Sequence, residues 1–193
     1  MLGKLRERYE NLVSPFGEAL VQAGITSNMM SLTALFVGFA SGWAYSIKLI
    51  LLGVSLLVLS AMLDMLDGAV ARASETSPFG AVLDHVLDRY VEYLVVTGII
   101  LGGFVDWFWG SFCVFGMIMA SYVRAKAESV GKLDNCSVGL AERQEKLLAI
   151  IAGSLMTTLI PSALFYSLIL VALISQVTVV QRLWYAHTKI RGR

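Results

Sequence analysis

The sequence predicts an all-α membrane protein: six transmembrane helices preceded by an amphipathic cytoplasmic interfacial helix. Three observations carry this reading. Hydrophobic residues make up 57% of the 193 residues and mean hydropathy is +0.73, whereas soluble domains are about 45–50% apolar. The apolar residues fall in six long runs with short polar connections between them. Lys and Arg lie almost wholly on one side of the topology those runs define.

A bilayer core of about 30 Å is crossed by roughly 20 helical residues. The runs at 28–45, 48–72, 78–103, 107–124, 142–160 and 162–185 meet or approach that length. Ser77-Pro78 places a capping hydroxyl before a proline at the first helical position. Ile160-Pro161-Ser162 reads as a tight hairpin. Trp43, Trp107, Trp109 and Trp184 sit near run ends, where an interfacial belt belongs. With six crossings, one side carries Lys4, Arg6, Arg8, Arg72, Arg124, Lys126, Lys132, Arg143, Lys146, Arg182, Lys189, Arg191 and Arg193. The other carries Lys48, so both termini are expected in the cytoplasm of a plasma-membrane protein.

Residues 1–24 form a separate juxtamembrane segment. Leu2, Leu5, Tyr9, Leu12, Val13 and Phe16 recur at helical spacing among charged residues, the pattern of a helix lying on the leaflet. Ser14-Pro15 marks a break in it. The charges of this segment interrupt the apolar core of a signal peptide, so no cleaved signal is expected. Residues 25–193 are one six-helix domain. A net charge of +1 gives no field for nucleic acid. Cys113 and Cys136 lie in different settings, so neither a disulfide nor a metal-binding Cys/His pattern is expected.

Four aspartates lie inside the apolar runs. Asp64 and Asp67 share the second with Gly68 and Ala71 on one stripe. Gly80, Asp84, Asp88 and Glu92 advance by four along one face of the third. A charge at the centre of a membrane helix costs roughly 2.5–3.5 kcal/mol, so four require a wet cavity or bound cations. A short connection makes the two helices expected antiparallel neighbours, with the aspartates at similar depth. Carboxylates this close repel, and two Mg²⁺ or Mn²⁺ ions would relieve the repulsion and clamp a diphosphate. Gly68 opens space beside them, and Arg72 offers a bidentate phosphate contact. The alternative is a structural ion network or the cation pathway of a transporter.

Written out, the stretch is Asp64-Met65-Leu66-Asp67-Gly68-Ala69-Val70-Ala71-Arg72, seven residues, Gly80, three residues, Asp84, three residues, Asp88. It resembles the motif of the CDP-alcohol phosphotransferase family at every fixed position. The resemblance implies that Asp64, Asp67 and Asp84 bind the metal ions, with Asp88 near enough to contribute. It makes Asp88 the general base on the acceptor hydroxyl. Gly68, Ala71, Arg72 and Gly80 would line the pocket for a CDP-linked lipid. Members often begin the first span with Pro-Asn-x-x-Thr; here the stretch is Ser27-Asn28-Met29-Met30-Ser31, in which Asn28 matches and its neighbours do not, so it is left out of the expected site.

Arg124, Lys126, Arg143, Lys146 and Arg182 lie where the last three runs meet the cytoplasm, where they serve either as ordinary positive-inside charge or as a phosphate site. Residues 121–128 (SYVRAKAE) and 139–147 (GLAERQEKL) resemble the inositol-phosphate branch of the family. That branch implies an acceptor-phosphate pocket of Arg124, Arg143 and Arg182, with inositol-1-phosphate as acceptor. The product would be a phosphatidylinositol phosphate or its archaeal ether analogue. The nearest alternative is glycerol-3-phosphate, as in a phosphatidylglycerophosphate synthase; a cation-coupled transporter lies further off. Glu92 would tune Asp88, meet the inositol ring or pair with Arg89. His85, about 100° round the helix from Asp84, is expected to pack rather than bind metal. The resemblance also implies a homodimer.

Overall fold

All six apolar runs fold as helices, and side chains placed by the sequence fix several of their starts. The computed structural model describes residues 14–74 and 77–192. Among them are seven helices: α1 Ser14–Gln22, α2 Ser27–Ser46, α3 Ile50–Ala73, α4 Pro78–Leu101, α5 Trp107–Ser129, α6 Arg143–Met156 and α7 Ala163–Arg191. Met29 N donates to Thr26 Oγ1, Gly80 N to Ser77 Oγ at 3.0 Å, and Trp109 N to Asp106 Oδ1 at 3.0 Å. These caps satisfy amides at the first turns of α2, α4 and α5. Pro78 follows its cap, as expected.

α1 meets α2 at 106° across a short break. Its Gly17 lies against the backbone of Ala69 on α3, so closely that a Cβ there would fall 2.8 Å from the Ala69 carbonyl. The expected amphipathic stripe from Leu2 to Val13 lies outside the described residues; Phe16, its last member, is exposed.

The packing corrects one expectation. α3 and α4 are not a close-packed pair; each packs instead on α2. α5 packs on α7 and α4, while α6 packs on α7 and α3. The α2–α4 contact is made through glycine. A Cβ on Gly98 would collide with the Gly42 carbonyl oxygen, and one on Gly38 would meet Val91 at 2.8 Å. Small residues of this kind let membrane helices approach backbone to backbone. The core between the layers holds Tyr45, Leu57, Val95, Ile99, Met117, Ile150 and Leu168. Tyr45 Oη and Ser154 Oγ share a hydrogen bond of 2.7 Å across it. Phe36, Trp43, Leu51, Trp107, Phe115, Tyr166 and Trp184 are exposed on the outside.

This is an all-α membrane fold. α3, α5 and α7 are each long and apolar enough to cross a membrane, and α1 with α2 makes a fourth, bent candidate. The expected six crossings are therefore met in part. α4 carries Asp84, Asp88, Arg89 and Glu92 within its length. α6 has 14 residues, about 21 Å at 1.5 Å per residue. It stops early because Thr157 closes the turn: its Oγ1 donates to Gly153 O at 2.7 Å and accepts from Leu164 N at 3.0 Å. The expected hairpin at 160–162 thus begins a few residues sooner. Cys113 and Cys136 are buried free thiols.

Candidate active site

With α2 behind them, α3 and α4 face each other across a narrow cleft lined by Ser31, Ser60, Asp64, Asp84, Asp88 and Arg143. Their spacing along the two helices turns the aspartates inward, and the fold brings them together. One carboxylate oxygen from each of Asp64, Asp67 and Asp84 lies within 4.8 Å of the others. Two oxygens ligating one hard cation at about 2.0–2.6 Å stand at most about 4–5 Å apart, so this spacing is compatible with a shared ion. An all-carboxylate set is also the donor chemistry Mg²⁺ and Mn²⁺ prefer, so the residues fit a divalent ion.

Asp67 and Asp88 are both buried. Ser31 Oγ donates to Asp67 Oδ2 at 2.6 Å, fixing one carboxylate oxygen. Asp88 is held by Arg143 Nη2 at 2.7 Å, with Arg89 Nη2 3.6 Å from its other oxygen. Arg143 Nη1 also donates to Asp64 Oδ2 at 2.5 Å. Gly68 borders open space, since a Cβ there would meet Arg72 Nη1 at 3.3 Å and nothing else nearby. Arg72 is exposed above it, and Ala71 is half-buried. A Cβ on Gly80 would fall 3.0 Å from Asn28 Oδ1. Any side chain at 80 would therefore press on α2.

The three arginines expected around an acceptor phosphate have separate partners. Arg143 reaches into the aspartates. Arg182 is buried, with Nε donating to Val138 O at 2.9 Å and Nη1 to Ala120 O at 2.6 Å. It ties α5 and the loop before α6 to α7. Arg124 pairs with Glu128 at 3.0 Å, and Glu128 accepts from Cys136 N at 2.9 Å. Arg182 thus meets directly, and Arg124 through Glu128, the same loop, whose end carries Arg143 into the cleft. Lys126 is exposed, whereas Lys146 is buried.

Three neighbours of the aspartates depart from expectation. His85 is exposed rather than packed, and one ring nitrogen lies within 4.8 Å of oxygens of Asp84 and Asp88. The 100° offset on the helix wheel is bridged by the reach of the imidazole. Ser31 and Asn28, left out of the expected site, both border it. The signal was present: they occupy the Asn and hydroxyl positions of the pattern that often opens the family's first span.

A helical membrane bundle with this carboxylate cleft is the arrangement expected of a lipid-linked phosphotransferase. Residues 24–186 match the CDP-alcohol phosphatidyltransferase family, and the chain belongs to it as an enzyme of that class, which sets the transporter reading aside. It is 34% identical to the archaetidylinositol phosphate synthase of Methanothermobacter thermautotrophicus, covering 99% of this chain and 96% of that one. It is 33% identical to the phosphatidylinositol phosphate synthase of Mycobacteroides abscessus, over 95% and 87% of the two chains. The fold is similar to the crystal structure of Mycobacterium tuberculosis phosphatidylinositol phosphate synthase with CDP-DAG bound. That match has a TM-score of 0.80 at 25% identity, over 91% of this chain and 94% of the other. The same enzyme in complex with manganese and citrate gives 0.81 at 26%.

Proposed function

We propose that the protein transfers the phosphatidyl-type group of CDP-diacylglycerol or CDP-archaeol to inositol-1-phosphate and releases CMP. The observation that carries the reading is the meeting of Asp64, Asp67, Asp84 and Asp88 with Arg143 in one cleft. The names borne by relatives spanning nearly the whole chain support the acceptor.

Asp64, Asp67 and Asp84 would hold a divalent ion, with Asp88 available to a second. Such ions, when bound, neutralise the diphosphate and ease departure of CMP. Gly68, Ala71, Arg72 and Gly80 border the space for the CDP end of the lipid. Asp88 accepts the proton of the acceptor hydroxyl, and that oxygen attacks the lipid-side phosphorus as the bond to CMP breaks. Arg143 stands beside Asp88, where a phosphate on the acceptor would bring the hydroxyl to the base. Arg124 and Arg182 would complete the acceptor side. Glycerol-3-phosphate is the second reading, because it too needs a phosphate contact.

The chain would cross the plasma membrane six times and work as a homodimer, with the cleft opening to the cytoplasm. The positive charge beside α3, α5 and α7 at that end supports the orientation. The test is CMP release from purified protein with Mg²⁺ and either CDP-lipid. Inositol-1-phosphate, glycerol-3-phosphate, inositol and serine are compared as acceptors. Release with inositol-1-phosphate alone is expected. Release with glycerol-3-phosphate instead would replace the acceptor and keep the aspartate chemistry.

A further inference from the structure

Glu92 stands one turn beyond Asp88 on α4, outside the family motif, and is 1% exposed. A carboxylate buried so deeply needs compensating charge. Two arginines supply it at contact distance, and buried Lys146 adds a further positive charge nearby. Glu92 Oε1 lies 3.0 Å from Arg89 Nη1 and 3.4 Å from Arg143 Nε. Arg89 is itself anchored, since its Nη1 donates to Ser121 Oγ on α5 at 2.6 Å.

The three nitrogens of Arg143 therefore face three carboxylates. Nη1 meets Asp64 and Nη2 meets Asp88, both inside the motif. Nε meets Glu92. A guanidinium is planar, so holding its Nε edge fixes where its two terminal nitrogens point. The 3.4 Å approach is an ion pair without a formed hydrogen bond: neither Arg143 Nε nor either Glu92 oxygen completes one among the described residues.

We infer that Glu92 is a positioning residue for the transfer. It holds the Nε edge of Arg143 so that the terminal nitrogens face the cleft and can pass from Asp64 and Asp88 to a phosphate on the acceptor. This rests on the reading of Arg143 as an acceptor-phosphate contact given above. A Glu92 that merely balanced Arg89 would serve stability and leave acceptor recognition alone.

The test is a double-mutant cycle on the full-length protein with E92Q, R143K and the pair. KM for the acceptor and for the CDP-lipid, kcat, and thermal unfolding in detergent are measured for each. E92Q is expected to raise acceptor KM about tenfold, the ratio a weakened charged contact gives. CDP-lipid KM should stay within about twofold. In the R143K background, which has no Nε edge, E92Q should add less than about twofold. Equal effects in both backgrounds, equal rises in both KM values, or a change in unfolding temperature alone would overturn the inference. R143K leaving acceptor KM unchanged would instead sink the acceptor reading beneath it. Should E92Q not fold, E92D enters the same cycle and is read the same way.

Discussion

Ser31 on α2 donates a 2.6 Å hydrogen bond to Asp67 on α3, 36 positions along the chain. It leaves the other Asp67 oxygen to the cleft and ties the carboxylate to a helix that carries no acid of its own.

Removing that hydroxyl tests how far the aspartates depend on their supports. S31A is expected to lower Mn²⁺ affinity, followed by electron paramagnetic resonance, by about 10–100-fold, as loss of a hydrogen bond behind a metal ligand does. S31T keeps the hydroxyl and should stay near wild type. Unchanged Mn²⁺ binding in S31A would mean that Asp67 orients itself.

The aspartates should divide by role. D67N is expected to lose Mn²⁺ binding and CMP release together. D88N should abolish CMP release while CDP-lipid still binds, measured by equilibrium binding of a labelled nucleotide lipid. Loss of that binding in D88N would remove Asp88 from the role of base and make it chiefly a ligand.

Gly98 sits where any side chain would strike the Gly42 carbonyl. G98A is expected to destabilise the fold by about 1–3 kcal/mol, the range for overpacking, and to lower the unfolding temperature in detergent. A variant of undiminished stability would show that α2 and α4 can part without loss.

Cys136 is fully buried in a small cluster with Ala127 and Leu133, and burial pushes its thiol up. The reactive thiolate is correspondingly scarce. Native protein at pH 8 should react with maleimide at well under one tenth of the rate of a free thiol, with full reaction after denaturation. Fast native labelling would show that the loop between α5 and α6 opens readily.

Much of the site was legible in the sequence because its spacing is local. Asp84 and Asp88 are four apart and Asp64 and Asp67 three, so helix geometry alone turns each pair to one face. The start of α4 was equally plain from Ser77-Pro78. Less legible were the contacts between helices. Periodicity gives a helix its inner face but not its neighbour, and so the insertion of α2 behind α3 and α4 was missed. Arg143 reaches Asp64 across 79 positions, and no local pattern records such a pairing. The shortness of α6 also escaped, because Leu159 and Ile160 resume the apolar run beyond Met156 while Thr157 turns the backbone.

The position of α2 has a mechanical meaning. It acts as a shim behind two jaws: α3 and α4 each rest on it, and the distance between their acidic faces follows from its thickness. Gly38 and Gly42 keep it thin toward α4. On the α3 side Ser41 Oγ donates to Gly53 O at 2.7 Å, and Ser60 Oγ of α3 donates to Ala34 O at 2.8 Å. Widening this shim by a single methyl would move two aspartates relative to the other two without touching any of them. The gape of the catalytic jaws is therefore set by a helix that contributes none of their teeth.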